Sequence, residues 1–202
     1  MRTAGARGGG WRWLPSQLAA WLLASVLVAP VHAAAPLATV DDVDLERYMG
    51  RWHQVAHLPN WFQRACASAT SATYARRPDG RVSVLNTCRN EDGELERAEG
   101  VARLNPVYDD PARLEVRFAP AWLGFLPFVW GDYWILALEP DYSAVLVGAP
   151  SREYLWVLAR TPSLPRQTYT RLLDVARAQG FELDALRLEH PGAVQDAATP
   201  GE

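Results

Sequence analysis

The chain has 202 residues, a formal charge of −3 and 49% hydrophobic residues, the size and make-up of one folded domain rather than of a disordered or fibrous polymer. All 20 basic residues are arginine, scattered without a basic run, which excludes nucleic acid as a partner class. Neither G-x-S-x-G nor C-x-x-C occurs, so the usual hydrolase and dithiol signatures are absent.

Arg2, Arg7 and Arg12 precede an apolar run over 18–29, and Val31-His32-Ala33-Ala34-Ala35 supplies small residues after it. That order predicts a signal peptide over 1–35, because the run is too short for a membrane span. The expected mature chain is a single domain over 36–190 with a disordered tail over 191–202, where Ala, Gln, Asp, Thr, Pro and Gly carry no apolar period. Export implies an oxidising compartment, and Cys66 and Cys88 are the two cysteines available for a disulfide. No cysteine lies in the leader to carry a lipid, so the expectation is a periplasmic protein, at most peripheral to the outer membrane.

Residues 41–49 read as a short helical turn, with Asp41 or Asp44 as its cap and Leu45, Tyr48 and Met49 on one side. Strand-like runs follow at 50–58, 69–76, 81–90, 95–104, 113–118, 131–138, 144–148 and 154–160. Pro78-Asp79-Gly80 and Glu91-Asp92-Gly93-Glu94 mark turns between them. In the fifth run Leu114, Val116 and Phe118 alternate with Arg113, Glu115 and Arg117, the pattern of an antiparallel strand with one enclosed face. The runs at 131–138 and 154–160 are apolar on both faces and need an outer cover. One helix offers it, with Ser163 as cap, Tyr169, Leu172, Leu173 and Ala176 as its stripe and Gly180 at its end. The predicted fold is therefore all-β, an eight-stranded antiparallel up-and-down barrel with one C-terminal helix packed outside.

Gly50-Arg51-Trp52 on the first strand, Gly131-Asp132-Tyr133 on the sixth and Arg160 ending the eighth form a trio far more specific than any member. Ala72-Thr73-Tyr74, Glu99-Gly100 and Arg160-Thr161-Pro162 extend it. With these stretches the chain resembles the bacterial lipocalins of the outer-membrane lipoprotein type, relatives of apolipoprotein D, over about residues 44–188. The resemblance implies a lipid carrier of the Gram-negative envelope, storing or transporting fatty acids or lysophospholipids for membrane maintenance, with no cofactor. It also implies that Arg160 stacks on Trp52 at the closed end of the barrel.

Strand parity, set by Trp52, Phe118 and Trp156, points Gln54, Ala56, Tyr74, Val84, Asn86, Leu114, Val116 and Ile135 inward with them as ligand-binding candidates. His53 and His57 fall on the opposite parity and stand about 13 Å apart along a strand, too far to share a metal. Other readings remain: a carrier of haem or an isoprenoid, or a barrel enzyme, which a free interior thiol would favour. The connection over 121–130 carries Trp122, Phe125, Phe128 and Trp130. Such an apolar loop at the open rim is a lid, a homodimer contact or a dock for a membrane interface.

Overall fold

The computed structural model describes residues 35–196. The predicted leader lies outside the described residues except for Ala35. Asp44 opens the first helix, α1 (Leu45–Tyr48), its carboxylate accepting from the backbone N–H of Glu46 and Arg47, and so serves as the cap. Eight strands then follow: β1 (Gly50–His57), β2 (Ser68–Arg76), β3 (Val82–Arg89), β4 (Leu95–Leu104), β5 (Arg113–Arg117), β6 (Gly131–Leu138), β7 (Ala144–Gly148) and β8 (Leu155–Ala159). Each pairs antiparallel with the next, and β1 also pairs with β8. The sheet therefore closes into a barrel and has no long free edge.

The barrel carries apolar side chains on both of its faces, and these form two cores. Inside, Trp52, Tyr74, Val84, Leu114, Ile135, Val145, Val147 and Leu158 pack together. Outside, Val55, Trp134, Leu136, Leu146, Leu155 and Val157 pack beneath Leu172, Leu173 and Ala176 of helix α2 (Arg166–Ala178). The helix stripe is the predicted one. Its start is not. Ser163 does not cap α2; Pro165 stands at the N-cap without a side-chain hydrogen bond, because β9 (Leu164–Pro165) is drawn into a parallel pair with β11 (Val194–Gln195).

That pairing takes in the first part of the predicted tail, whose remainder, 197–202, lies outside the described residues. Residues 191–196 are ordered, and Ala193 is fully buried in the outer core. Two apolar residues, Ala193 and Val194, are too few to give a periodic signal, yet both pack against the outer core. Just upstream, β10 (Arg187–Leu188) pairs with Ala56 and His57 of β1, where β2, whose pairing covers Gly50 to His53, no longer protects that edge.

A bulge breaks the alternation of β1. Gln54 lies opposite Leu158 of β8, but Ala56 lies opposite Val157, so two residues of β1 span one of β8. Val55 and Ala56 consequently both join the outer core. His57, expected on the outward parity, pairs opposite Trp156 and is half-buried.

Candidate functional site

The closed end of the barrel is sealed by the glycine, indole and guanidinium of the sequence trio. Gly50 adopts φ +94°, a backbone that only glycine takes without strain, and a Cβ there would stand 3.4 Å from Arg160 Nη1. The Arg160 guanidinium lies 3.9 Å from the centroid of the buried Trp52 ring. Its nitrogens donate to the carbonyls of Arg51 (3.0 Å), Arg47 (2.7 Å) and Tyr142 (3.3 Å). The indole N–H of Trp52 donates in turn to the carbonyl of Tyr48 (2.9 Å). Gly131 and Asp132 take no part in this seal; they begin β6 at the other end, where both line the mouth.

Above the seal, three tyrosines form a polar floor. The Tyr133 hydroxyl lies 2.8 Å from that of Tyr48 and 3.0 Å from that of Tyr74. Burial, the largest cause for each, raises all three hydroxyls well above the ordinary phenol value, reinforced by the neighbouring tyrosines. They are neutral hydrogen-bonding groups at any physiological pH.

Over this floor a chamber opens, with about 870 Å³ of empty space including its open end. Of the residues expected to face a ligand, Gln54, Tyr74, Val84, Asn86, Leu114, Val116, Phe118 and Trp156 line it. Two do not. Ala56 is turned to the outer core by the bulge, and Ile135 is packed into the inner core below the chamber. Leu45 and Tyr48 of α1, Met49 at its C-cap and Gln63 of the first loop line it as well, positions that strand parity cannot reveal. Ala72, Val82 and Leu158 also line it and lie on the predicted inward parity of their strands, as does Ala102 of β4, a strand for which no parity was predicted.

Phe118 reaches the chamber because of Gly100. A Cβ at Gly100 would meet the Phe118 ring at 2.8 Å and the Arg117 carbonyl at 2.9 Å, so the missing side chain makes room for that ring. Near the neck, Gln63 Oε1 accepts from Trp156 Nε1 (3.0 Å), and Gln63 Nε2 donates to Gln54 Oε1 (2.8 Å). Gln54 Nε2 donates to Glu189 Oε2 (2.6 Å) and lies 3.0 Å from His57 Nδ1. Glu189 Oε1 also accepts the backbone N–H of Thr70 (2.7 Å). Glu189 of the C-terminal segment thus bridges β1 and β2, and Gln54 passes the connection on to Gln63 of the first loop.

The chamber continues into a wide mouth. Phe62, Gln63, Asn86, Val116, Phe118 and Trp156 line both. Cys66 and Cys88 are disulfide-bonded, with Cα atoms 5.5 Å apart, and both line the mouth. The bond fixes the loop between β1 and β2 to the end of β3. Across the opening, Trp122, Phe125 and Phe128 are 72%, 78% and 79% exposed, and Trp61 is 68% exposed. Phe128, Val129 and Trp130 of the loop over 121–130 line the mouth. The loop is braced at its start, where Arg117 Nη1 donates to the carbonyls of Ala119 (2.7 Å) and Pro120. Arg103 lies 3.9 Å and Arg117 5.2 Å from the Trp130 ring, whose N–H donates to the Gly124 carbonyl (2.8 Å).

Among the described residues there is no free cysteine and no cluster of His, Cys, Asp and Glu that could hold a metal ion. No helix among them is long and apolar enough to cross a membrane.

The family model for the lipocalin-like domain matches residues 43–191. The chain is 40% identical over 151 residues to temperature-induced lipocalin-1 of Arabidopsis thaliana, covering 74% of this chain and 80% of that protein. It is 34% identical over 187 residues to the outer membrane lipoprotein Blc of Escherichia coli K12, covering 90% and 99% respectively. Among solved structures, insecticyanin from the tobacco hornworm Manduca sexta superposes with a TM-score of 0.59 at 19% identity, over 82% of this chain and 90% of that one.

Proposed function

Because the chain belongs to the lipocalin family, we propose that it is a carrier of small hydrophobic ligands in the bacterial envelope, holding the acyl chain of a fatty acid or lysophospholipid for membrane maintenance. The observation that carries this reading is the chamber itself: a closed barrel end, mainly apolar walls and a single wide opening. Such a site gains free energy by taking an alkyl chain from water, about 0.8 kcal/mol for each buried CH₂. The polar groups at the floor and neck are few and placed to orient one headgroup. The envelope assignment draws on the similarity to an outer membrane lipoprotein. The pairing of both cysteines leaves no interior thiol of the kind a barrel enzyme would use.

The exposed Trp122, Phe125 and Phe128 favour a second element of the proposal: the rim touches a lipid surface, so that ligand passes between bilayer and chamber without crossing water. Tryptophan is favoured at such an interface, and a loop braced at its start holds its aromatics outward. Native mass spectrometry of protein purified from an envelope fraction tests the carrier reading. A co-purifying acyl lipid is expected. Haem or an isoprenoid in its place would move the ligand class while keeping the carrier, and protein that binds no hydrophobe from any source would end it.

A further inference from the structure

Glu189 follows β10 and does not line the chamber, yet its carboxylate is connected to it. β2 pairs with β1 only over Gly50 to His53, and past that point β10 takes the edge of β1 through Ala56 and His57. The backbone N–H of Glu189 donates to the Val55 carbonyl (2.9 Å), which sets the residue where β1 and β2 have parted. There one carboxylate oxygen accepts the N–H of Thr70 and the other accepts from the Gln54 amide. Gln54 is buried and lines the chamber, as Thr70 and Gln63 do.

The hydrogen bonds that run from there to the neck have only one possible direction. Trp156 Nε1 can only donate, so the Gln63 atom facing it is Oε1, and Nε2 is left for Gln54. An ionised carboxylate can only accept, so the Gln54 atom facing Glu189 is Nε2, and Oε1 is left for Gln63. The two ends agree, and neither amide can turn over without setting donor against donor. Asn60 holds Gln63 a second time, donating to its Oε1 and accepting its backbone N–H. Glu189 therefore orients Gln54, and through it the Gln63 side chain that Trp156 meets at the neck.

His57 adds a condition. Its Nδ1 lies 3.0 Å from Gln54 Nε2, and because that nitrogen is a donor, Nδ1 accepts and the ring is neutral, with its proton on Nε2. A second proton would set N–H against N–H. The charged groups that face the ring are Arg187 of β10 and Glu189 just after it; across from it on β8 stands Trp156, which does not titrate. His190, next to Glu189, is turned to the Pro162 carbonyl (3.1 Å). Burial is the largest influence on His57 and holds it below the ordinary histidine value, with Glu189 acting against burial and Arg187 with it. Both oxygens of Glu189 accept from neutral groups, so an imidazolium, whose charge-assisted bond is about twice as strong, would displace the Gln54 amide.

We propose that Glu189 is a positioning residue for the chamber, holding Gln54, Gln63 and Trp156 in the arrangement that receives ligand, and that a proton on His57 takes Glu189 away from Gln54, so that the neck binds at neutral pH and loosens in acid. This rests on the carrier reading and adds regulation to the same site. It does not depend on which hydrophobe is carried.

The test is titration of delipidated protein with the fluorescent hydrophobe N-phenyl-1-naphthylamine, which stays uncharged, at about pH 7.5 and about pH 5, on either side of the histidine range. The unaltered protein is expected to bind about 5- to 10-fold more weakly at the lower pH, as the loss of one hydrogen bond warrants. His57→Asn, which keeps an acceptor near the place of Nδ1 and does not titrate, should bind as well at neutral pH and lose the acid decline. His53 and His190 are untouched in that variant, so the lost decline belongs to His57. Glu189→Gln must turn a donor toward either Thr70 or Gln54, and should bind weakly at both pH values with a folded barrel by circular dichroism. Glu189→Asp, an acceptor at both oxygens, should recover part of the neutral affinity together with its acid decline. Affinity that does not fall in acid, an acid fall that persists in folded His57→Asn, or a folded Glu189→Gln that binds as the unaltered protein does overturns the proposal with the carrier reading intact. Protein that binds neither the fluorophore nor any acyl lipid at either pH overturns both.

Discussion

Arg160 closes the barrel with one side chain that performs two kinds of work. Its flat face covers the Trp52 ring while its nitrogens satisfy carbonyls of Arg47, Arg51 and Tyr142, a geometry that a lysine ammonium cannot reproduce. Arg160→Ala is expected to cost about 2 to 3 kcal/mol of stability, through the lost cation–π contact and three unpaired carbonyls. Arg160→Lys should recover less than half, and urea denaturation reads both. The tyrosine floor sets a second expectation. Burial holds Tyr48, Tyr74 and Tyr133 above the ordinary phenol value of 10.0. In the unfolded chain they ionise at the ordinary value, whereas the folded chain keeps their protons. Stability is therefore intact below about pH 10 and falls as pH rises beyond it, by about 1.4 kcal/mol per pH unit for each tyrosine. Tyr74→Phe should make that alkaline decline shallower in urea melts run across this range, and an unchanged slope would refute the assignment.

Two elements shape the neck. The disulfide joins the first loop to β3 across a sequence separation of 22 residues, a closure whose loss is expected to cost about 3 kcal/mol. The Cys66→Ser, Cys88→Ser double variant should therefore melt at lower temperature, and its ligand affinity should fall as well, because Phe62 and Gln63 of the same loop line the chamber. Equal melting temperatures with and without reductant would contradict this. At the end of β5, Phe118 sits over Gly100 at the junction of chamber and mouth. With 42% of its surface exposed, it tolerates a polar replacement better than the inner core does. Phe118→Asp is expected to leave a folded barrel, by circular dichroism, and to reduce uptake of a fluorescent fatty acid at least about tenfold, since it sets an unpaired charge at the neck. Unchanged uptake would remove Phe118 from the site.

At the scale of the molecule, the polar seal and the apolar rim stand at opposite ends of one barrel. Trp61, Trp122, Phe125 and Phe128 expose large apolar surface around the opening, and burying three or four such side chains in an interface gives weak, reversible attachment. The Trp122→Ser, Phe125→Ser double variant should lose liposome co-sedimentation and transfer lipid more slowly, while its affinity for a soluble lysolipid stays nearly unchanged. The reverse result, affinity lost and liposome binding kept, would make the loop part of the binding wall and not a docking surface.

Much of this was legible in the chain by itself. The strand runs and the helix stripe follow from side-chain period and turn residues, the cysteine pair from the expected export, and the Trp52 and Arg160 seal from the family resemblance that the motifs carry. Parity also placed Tyr74, Val84, Leu114, Val116 and Trp156 on the wall that the chamber uses. Local pattern suffices there, because a strand that alternates without interruption fixes which side chains face in. Tertiary structure decided the rest. The bulge in β1 sent Ala56 outward and His57 toward Gln54, since which strand gains the extra residue is settled by pairing with β8 and not by the sequence of β1. Ile135 faces in but is sealed beneath the chamber, because depth along a barrel depends on how α1 and the inner core fill its end. Ser163 lost its capping role, and residues 191–196 gained order, through the pairing of two segments thirty residues apart. Asn86 faced inward by parity alone. That its Oδ1 is buried without a protein partner is a property of the assembled neck and of no single strand.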